Sequence, residues 1–323
     1  MFTVKIYLPE QHRVWNDFAA QAKNAPFLFQ RGFMDYHKDR FEDFSLMVYR
    51  NGKLVALLPA NRVEATLYSH QGLTYGGLLL KETTKFRDVI FMFKSVLEFL
   101  SAQAVETLAL KLLPSMYSAQ PNDELNYLLF LTEAQLTRRD ALSVLNMNNR
   151  PKISRNRMEG VSRGQKYNLI IREVDSFDEF WNAILTKNLQ QKHAATPVHS
   201  LEEISALKKS FPKQIRQFNV YQDNQIVAGT TIFETETLAH SQYISGNEDK
   251  NTLGSLDFLH WHLIEDVFKH KAFFDFGTSN EHQGKKINEG LQYWKEGFGA
   301  RTITQDFYSV NTKNHKLLDT VML

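Results

Sequence analysis

Apolar and polar positions along the chain fall into a pattern that occurs twice. Val48-Tyr49-Arg50-Asn51-Gly52-Lys53-Leu54-Val55-Ala56 matches Val220-Tyr221-Gln222-Asp223-Asn224-Gln225-Ile226-Val227-Ala228 at a constant offset of 172 positions (48 to 220, 56 to 228). In each segment apolar residues flank a two-residue turn, Asn51-Gly52 or Asp223-Asn224, built from residue types that tolerate positive φ. Each therefore predicts a β-hairpin closed by a type I′ turn. One such hairpin is common, but two with the same flanks at one offset point to duplication.

The neighbourhoods repeat as well. Trp15 and Phe18 predict a helix before the first hairpin, and Phe177, Phe180 and Trp181 predict one before the second. A further strand is expected after each hairpin, over 67–80 and 238–246. A long amphipathic helix follows, with Val89, Phe93, Val96 and Leu100 on one face in the first copy and Leu256, Leu259, Leu263 and Val267 in the second. A buried strand closes each copy, at 105–113 and 272–276. The order helix, hairpin, strand, helix, strand thus predicts an α/β chain of two tandem domains, residues 1–148 and 149–323. Each would be a mixed, mostly antiparallel sheet flanked by helices.

Composition agrees with this and narrows the chemistry. A length of 323 residues suits two domains of roughly 150. The formal net charge of +2, from 38 basic and 36 acidic residues, gives no global pull toward nucleic acid or membrane. There is no cysteine, which excludes disulfides, thiolate-ligated zinc and a cysteine nucleophile. The first fifteen residues carry Glu10 and His12 and lack a signal-peptide apolar run, and no stretch approaches the roughly 20 apolar residues of a membrane span. A cytoplasmic protein without an integral membrane segment is the expectation. The histidines show no ligand spacing, since His260 and His262 fall on different helix faces, so no metal is expected.

Candidate chemistry concentrates in two places. The joint at 146–166 carries Arg150, Lys152, Arg155, Arg157, Arg163 and Lys166 against Glu159 alone. It is either a solvated linker with a short helix or a basic groove for phosphates. The second place is 273–308. There Phe273-Phe274-Asp275-Phe276-Gly277 reads as a buried strand with Asp275 facing away from its phenylalanine neighbours. A polar loop containing Asn280 follows, then a helix over 288–296 with Asn288 as N-cap, Leu291 and Trp294 facing the core, and Gly297 as the left-handed residue after its end. Lys295 lies in the last turn, where the helix dipole favours its charge.

These residues resemble a known family. Phe274-Asp275-Phe276-Gly277, followed by Gly290-Leu291-Gln292-Tyr293-Trp294-Lys295-Glu296-Gly297-Phe298-Gly299, is similar to the C-terminal signature of FemAB/FemX-like proteins. Ser154-Arg155-Asn156-Arg157 resembles the Arg-rich segment that enters their second domain. The resemblance implies a pair of GNAT-like domains and transfer of an acyl or aminoacyl group to an amine on a small molecule or a cell-envelope precursor. FemX-like members take an amino acid from aminoacyl-tRNA and add it to a peptidoglycan precursor; other relatives use acyl-CoA. The family's aromatic-Lys pair maps onto Trp294-Lys295, with Trp where Phe is usual.

The residue types suit that chemistry. An amine attacking a thioester or ester produces an oxyanion, which the Lys295 cation would stabilise. Tyr243 is the candidate proton donor to the leaving group, and Asp275 or Glu289 the candidate base. Trp294, Asn280, Gly277, Arg155 and Arg157 are candidate substrate-binding residues, and Gly254 and Ser255 candidate cofactor-binding ones. The stretch 250–255, Lys-Asn-Thr-Leu-Gly-Ser, has a single glycine, displaced from the pyrophosphate-cradling loop of many acyl-CoA enzymes. The donor is therefore left open between acyl-CoA and aminoacyl-tRNA, with tRNA among the possible partners. The competing expectation is a non-catalytic protein of this fold that binds a ligand in an inter-domain cleft.

Overall fold

The computed structural model describes residues 2–193 and 195–322. By contacts the chain divides into Met1–Asp140 with Thr304–Leu323, and Ala141–Ile303. This differs from the linear division at 148/149. Residues 304–311 of the strand Arg301–Asn311 lie in the first unit, where 307–311 pair with Thr107–Lys111. Val310 and Leu318 enter the core of that unit.

Both hairpins form as expected. Leu46–Arg50 pairs with Lys53–Leu58, and Ile215–Gln222 with Gln225–Glu234. The turn residues adopt left-handed φ, Asn51 at 50° and Gly52 at 78°, Asp223 at 49° and Asn224 at 63°. Even the irregularity repeats at the same offset. In the first hairpin the register shifts between Val48 and Tyr49, which pair with Ala56 and Leu54; in the second it shifts between Val220 and Tyr221, which pair with Ala228 and Ile226. A bulge falls at Val55 and again at Val227. Chance alternation would not place the same defect twice, so the two units are copies of one plan.

The copies diverge in the strand after the hairpin. The second unit has one continuous strand, Leu238–Gly246. In the first unit the expected strand 67–80 breaks into Thr66–Tyr68 and Leu79–Leu80. Between them lie Gly72, Gly76 and Gly77, the last at φ 110°, a run that punctuates rather than extends a strand.

The second unit is a six-stranded run in the order 170–174, 215–222, 225–234, 238–246, 273–278 and the end of Gln135–Asn146. All neighbours are antiparallel except 238–246 with 273–278, which are parallel. Its core joins Phe218, Leu259, Leu263, Phe268, Phe274, Phe276 and Phe298. The long helix forms as Ser255–His262, continued by a π-turn over Leu263–Val267.

The basic joint is not a linker. Residues Arg155–Lys166 form a helix capped by Ser154, and it packs on the 255–262 helix through glycines. A Cβ on Gly160 would come within 1.8 Å of an Asp257 oxygen, one on Gly164 within 2.6 Å of the Phe258 Cβ, and one on Gly254 within 2.1 Å of the Gly160 carbonyl oxygen. Backbone therefore meets backbone here, and Gly254 also needs its φ of +66°. Gly254→Ala should cost about 2 kcal/mol or more, lowering the melting temperature of the second unit by roughly 4–8 °C. Gly52→Ala, at φ +78° with open space around it, should cost about 1 kcal/mol. Equal losses by calorimetry would contradict the close helix contact.

Candidate active site

The parallel strands of the second unit pair only briefly. Leu238, Ala239 and His240 face Phe273, Phe274 and Asp275, and then the pairing ends. Beyond that rung the strands part, and a cavity of about 860 Å³ occupies the gap. The 238–246 strand is also bulged, because Thr231 and Ile232 face Tyr243 and Ser241, leaving Gln242 as the extra residue. Ser241 and Gln242 at the bulge, and Ile244, Ser245 and Gly246 beyond it, line the cavity.

The wall is cationic. Arg157, Arg163, Lys250 and Lys295 line it, with Asp257 as the one carboxylate among the lining residues. Arg157 donates to Asp257 at 2.8 Å, and the Trp294 indole N–H donates to the same carboxylate oxygen at 2.8 Å. Burial raises the Asp257 carboxyl above its ordinary value, opposed chiefly by the Arg157 charge. Trp294 is wedged by aromatic edges, with His260 at 5.0 Å, Phe298 at 5.2 Å and Phe276 at 5.4 Å between ring centroids. Burial holds His260 neutral, near pKa 4.

Lys295 is 2% exposed, and its ammonium donates to the carbonyls of Gly277 at 3.0 Å and Thr278 at 2.7 Å. Both lie past Asp275, the last residue of the parallel pairing, although Thr278 still pairs with Leu142 on its other side. An ammonium has three donors, so two brace the strand and one remains for a ligand. Burial pulls its pKa from 10.5 to about 8, and the charge of Asp275 pulls the other way.

The remaining sequence candidates lie elsewhere. Asp275, 1% exposed, accepts from the Gly277 N–H at 2.7 Å and pairs with His240 at 2.9 Å. It fixes the last paired rung and does not line the cavity. The Tyr243 hydroxyl lies 2.6 Å from His199 Nδ1, and its ring packs on Trp181; the bulge turns it away from the cavity wall. Glu289 is exposed at the start of its helix and does not line the cavity. Arg155 is exposed and pairs with Glu159, while Arg157, two residues on, turns inward. Asn280 braces its loop by accepting from Ala141 N and donating to Gly284 O.

Gly254 and Ser255 are covered by the 155–166 helix and do not line the cavity. Leu291 faces the cavity mouth, half-exposed, and not the core. Gly297 is right-handed at φ −62°. It is required for space, since a Cβ there would come within 2.9 Å of Arg157 Cγ. Asp257 and Ser241 were not singled out from sequence, because only non-local packing gathers them, whereas Arg163 was marked within the basic joint and Lys250 within the 250–255 stretch.

The first unit carries the corresponding strand pair but not the gap. Thr66, Leu67 and Tyr68 face Thr107, Leu108 and Ala109 in parallel. The segment that follows then zips onto the second strand: Ser69 N donates to Ala109 O, Gly76 N to Lys111 O, and Lys111 N to Ser69 Oγ. Among the described residues no helix is long and apolar enough to cross a membrane, and no three metal-ligating side chains come together.

A mixed sheet whose two parallel strands part over a cationic cavity defines a GNAT-type acyltransferase fold. Residues 147–295, most of the second unit, match the family model described as an acetyltransferase (GNAT) domain. The chain as a whole has the FemX-like form of this fold. It is similar to the crystal structure of FemX, with TM-score 0.66 and 8% identity over 98% of this chain and 99% of that one. It is also similar to the C-terminal domain of a putative lysylphosphatidylglycerol synthetase from Agrobacterium fabrum, with TM-score 0.63 and 14% identity over 95% and 93%. A tandem GNAT protein from the clavulanic acid biosynthesis pathway gives TM-score 0.53 and 13% identity over 97% and 99%. No curated protein matches in sequence.

Lys295 makes stability depend on pH in a defined direction. Folded, it loses its proton near pH 8; unfolded, near 10.5. Between these values the unfolded state binds more protons, so its contribution to stability rises with pH and is flat outside that window. The unfolding free energy of the wild type relative to Lys295→Met should therefore rise by about 3 kcal/mol between roughly pH 7 and pH 11. A pH-independent difference in denaturant titrations would show that the ammonium is not buried.

Proposed function

We propose that the chain transfers an acyl or aminoacyl group from a phosphate-bearing donor to an amine, in the cavity of its second unit. The acceptor is a small molecule or a cell-envelope precursor. The observation that carries this reading is the buried Lys295 ammonium on the wall of a gap whose other cations, Arg157, Arg163 and Lys250, suit an anionic carrier.

The steps follow from the groups present. The neutral amine attacks the donor carbonyl carbon, forming a C–N bond while the carbonyl oxygen takes up the electron pair. The remaining N–H of Lys295 bonds that oxyanion, a contact stronger in the transition state than in the ground state. Collapse breaks the bond to the carrier and expels a thiolate or an alkoxide. The proton lost by the nitrogen passes to Asp257, the carboxylate on the cavity wall, whose burial raises its affinity for a proton. Asp257 takes the place of Asp275 and Glu289 in this role. Tyr243, bonded to His199, does not line the gap, and Lys295 is the cation that reaches the strand end.

Coenzyme A and aminoacyl-tRNA both carry phosphates, and both remain candidate donors. An added Cβ on Gly254 would meet the Gly160 carbonyl, while Lys250, Asn251, Leu256 and Asp257 around it line the cavity; the guanidinium of Arg163 and the Lys250 ammonium are the cationic groups that would meet a phosphate. With a panel of acyl-CoA thioesters and aminoacyl-tRNAs, mass spectrometry of amine acceptors should reveal an amide product. Lys295→Met should lower kcat by about 10²–10³-fold with the fold intact by circular dichroism. Arg163→Gln should raise KM for the donor about tenfold and leave kcat nearly unchanged, because a carrier contact is equal in ground and transition states. Unchanged turnover in Lys295→Met removes the lysine from the mechanism. Donor binding without product by the wild type identifies a binding protein instead.

A further inference from the structure

Two residues of the cavity wall take no part in this mechanism. Tyr293 lines the cavity and is 61% exposed; its ring stacks on no other ring and its hydroxyl bonds no other group among the described residues. Gly290 lines the cavity one turn earlier on the same helix, Glu289–Glu296. A glycine weakens a helix relative to alanine, and the fold gives no reason for one here. Its φ is not positive, and an added Cβ would meet only Asn288 Oδ1, at 3.9 Å. No atom of the Tyr293 side chain comes within 4 Å of that Cβ, so open space lies between the bare backbone and the exposed ring.

Helix geometry fixes what this space faces. At about 100° per residue, the cavity-lining residues follow one another round the axis as Tyr293, Gly290, Trp294, Leu291 and Lys295. Lys295, the single cation of the helix, lies at one edge of this arc and Tyr293 at the other. The charged residues nearest Tyr293 in sequence, Glu289 and Glu296 on the helix and Lys285 and Lys286 before it, are exposed and do not line the cavity. Trp294, in the middle of the arc, holds Asp257 through its indole N–H. Arg163 and Lys250, which suit an anionic carrier, belong to other helices. An amine presented to Asp257 therefore has the uncharged edge, with Gly290 and Tyr293, open to its substituent.

We propose that Gly290 and Tyr293 form a stacking subsite for an aromatic ring on the acceptor, so that the amine acylated here is an aryl-substituted alkylamine. This rests on the transferase reading above and adds to it the chemical class of the acceptor. A flat ring gains offset or edge contact with the tyrosine beyond the area it buries, whereas a puckered ring of the same size gains area alone. Tyr293 is thus a specificity-determining residue, and Gly290 keeps the room that the ring occupies.

The test measures amide formation on 2-phenylethylamine, 2-cyclohexylethylamine and 2-aminoethanol with the donor that the wild type accepts. Comparing ratios of kcat/KM between wild type and variant cancels the amines' own basicity. Tyr293→Ala should lower the ratio of 2-phenylethylamine to 2-aminoethanol about tenfold, through KM, and Tyr293→Phe should restore it. The ratio of the phenyl to the cyclohexyl amine should fall about threefold or more in Tyr293→Ala. Gly290→Val, which fills the open space, should lower the phenyl-to-aminoethanol ratio as well. Ratios that neither Tyr293→Ala nor Gly290→Val moves, or an equal loss for the phenyl and cyclohexyl amines in Tyr293→Ala, overturn the stacking subsite and leave the transferase reading standing. Amide formed on other amines but none on 2-phenylethylamine overturns it too. No amide on any amine from any donor overturns both readings.

Discussion

Two parallel strands that stop pairing leave backbone carbonyls that must find donors, and everything in this molecule follows from how each unit supplies them. In the second unit the donor is the Lys295 ammonium, which reaches from its helix to the carbonyls of Gly277 and Thr278. In the first unit the chain itself fills the gap, with Ser69 and Gly76 bonding across to Ala109 and Lys111. Lys111 then ties the filling segment down through the carbonyls of Gln71 and Leu73. Both lysines are pulled to about pKa 8 by desolvation, Lys295 fully buried and Lys111 half-buried, but only in the second unit does the lysine leave a cavity open. A side chain that satisfies backbone at a distance keeps the strands apart; backbone that satisfies backbone closes them.

The open gap needs a rigid back wall, and the glycine contacts provide it. Gly160, Gly164 and Gly254 let the 155–166 and 255–262 helices meet at backbone distance. That approach sets Arg157 against Asp257, and Asp257 in turn takes the Trp294 indole N–H. Trp294 precedes Lys295, so the helix contact, the ion pair and the strand brace form one chain of fixed positions. The same packing carries Arg163 to the cavity wall and buries the helix start at Gly254.

Much of the fold was legible because it is local. The turn pairs Asn51-Gly52 and Asp223-Asn224 specify left-handed φ directly, and the constant offset carried the duplication down to a shared bulge. The break in the expected 67–80 strand was missed, although Gly72, Gly76 and Gly77 punctuate it. The return of residues 304–311 to the first unit was not legible, because nothing in a strand names its partner. The site was read unevenly for the same reason. Lys295, Trp294 and Arg157 lie on the cavity wall, found through motif resemblance. Tyr243 and Asp275 were misplaced by strand alternation that a bulge and a histidine partner override, and Glu289 and Arg155 by a helical face that turns to solvent. Asp257 carries no local signal, since its place on the cavity wall exists only once the helices have met, and Arg163 was marked only as one charge of the basic joint.

Hydrogen exchange of the wild type tests the central claim most directly, with and without saturating coenzyme A or a non-hydrolysable aminoacyl-adenosine. One of these ligands should slow exchange across 241–246 and 288–295 and leave 66–80 unchanged. Slowed exchange confined to 66–80, or none in the second unit with either ligand, would contradict the assignment of the reacting site to the gap that Lys295 holds open.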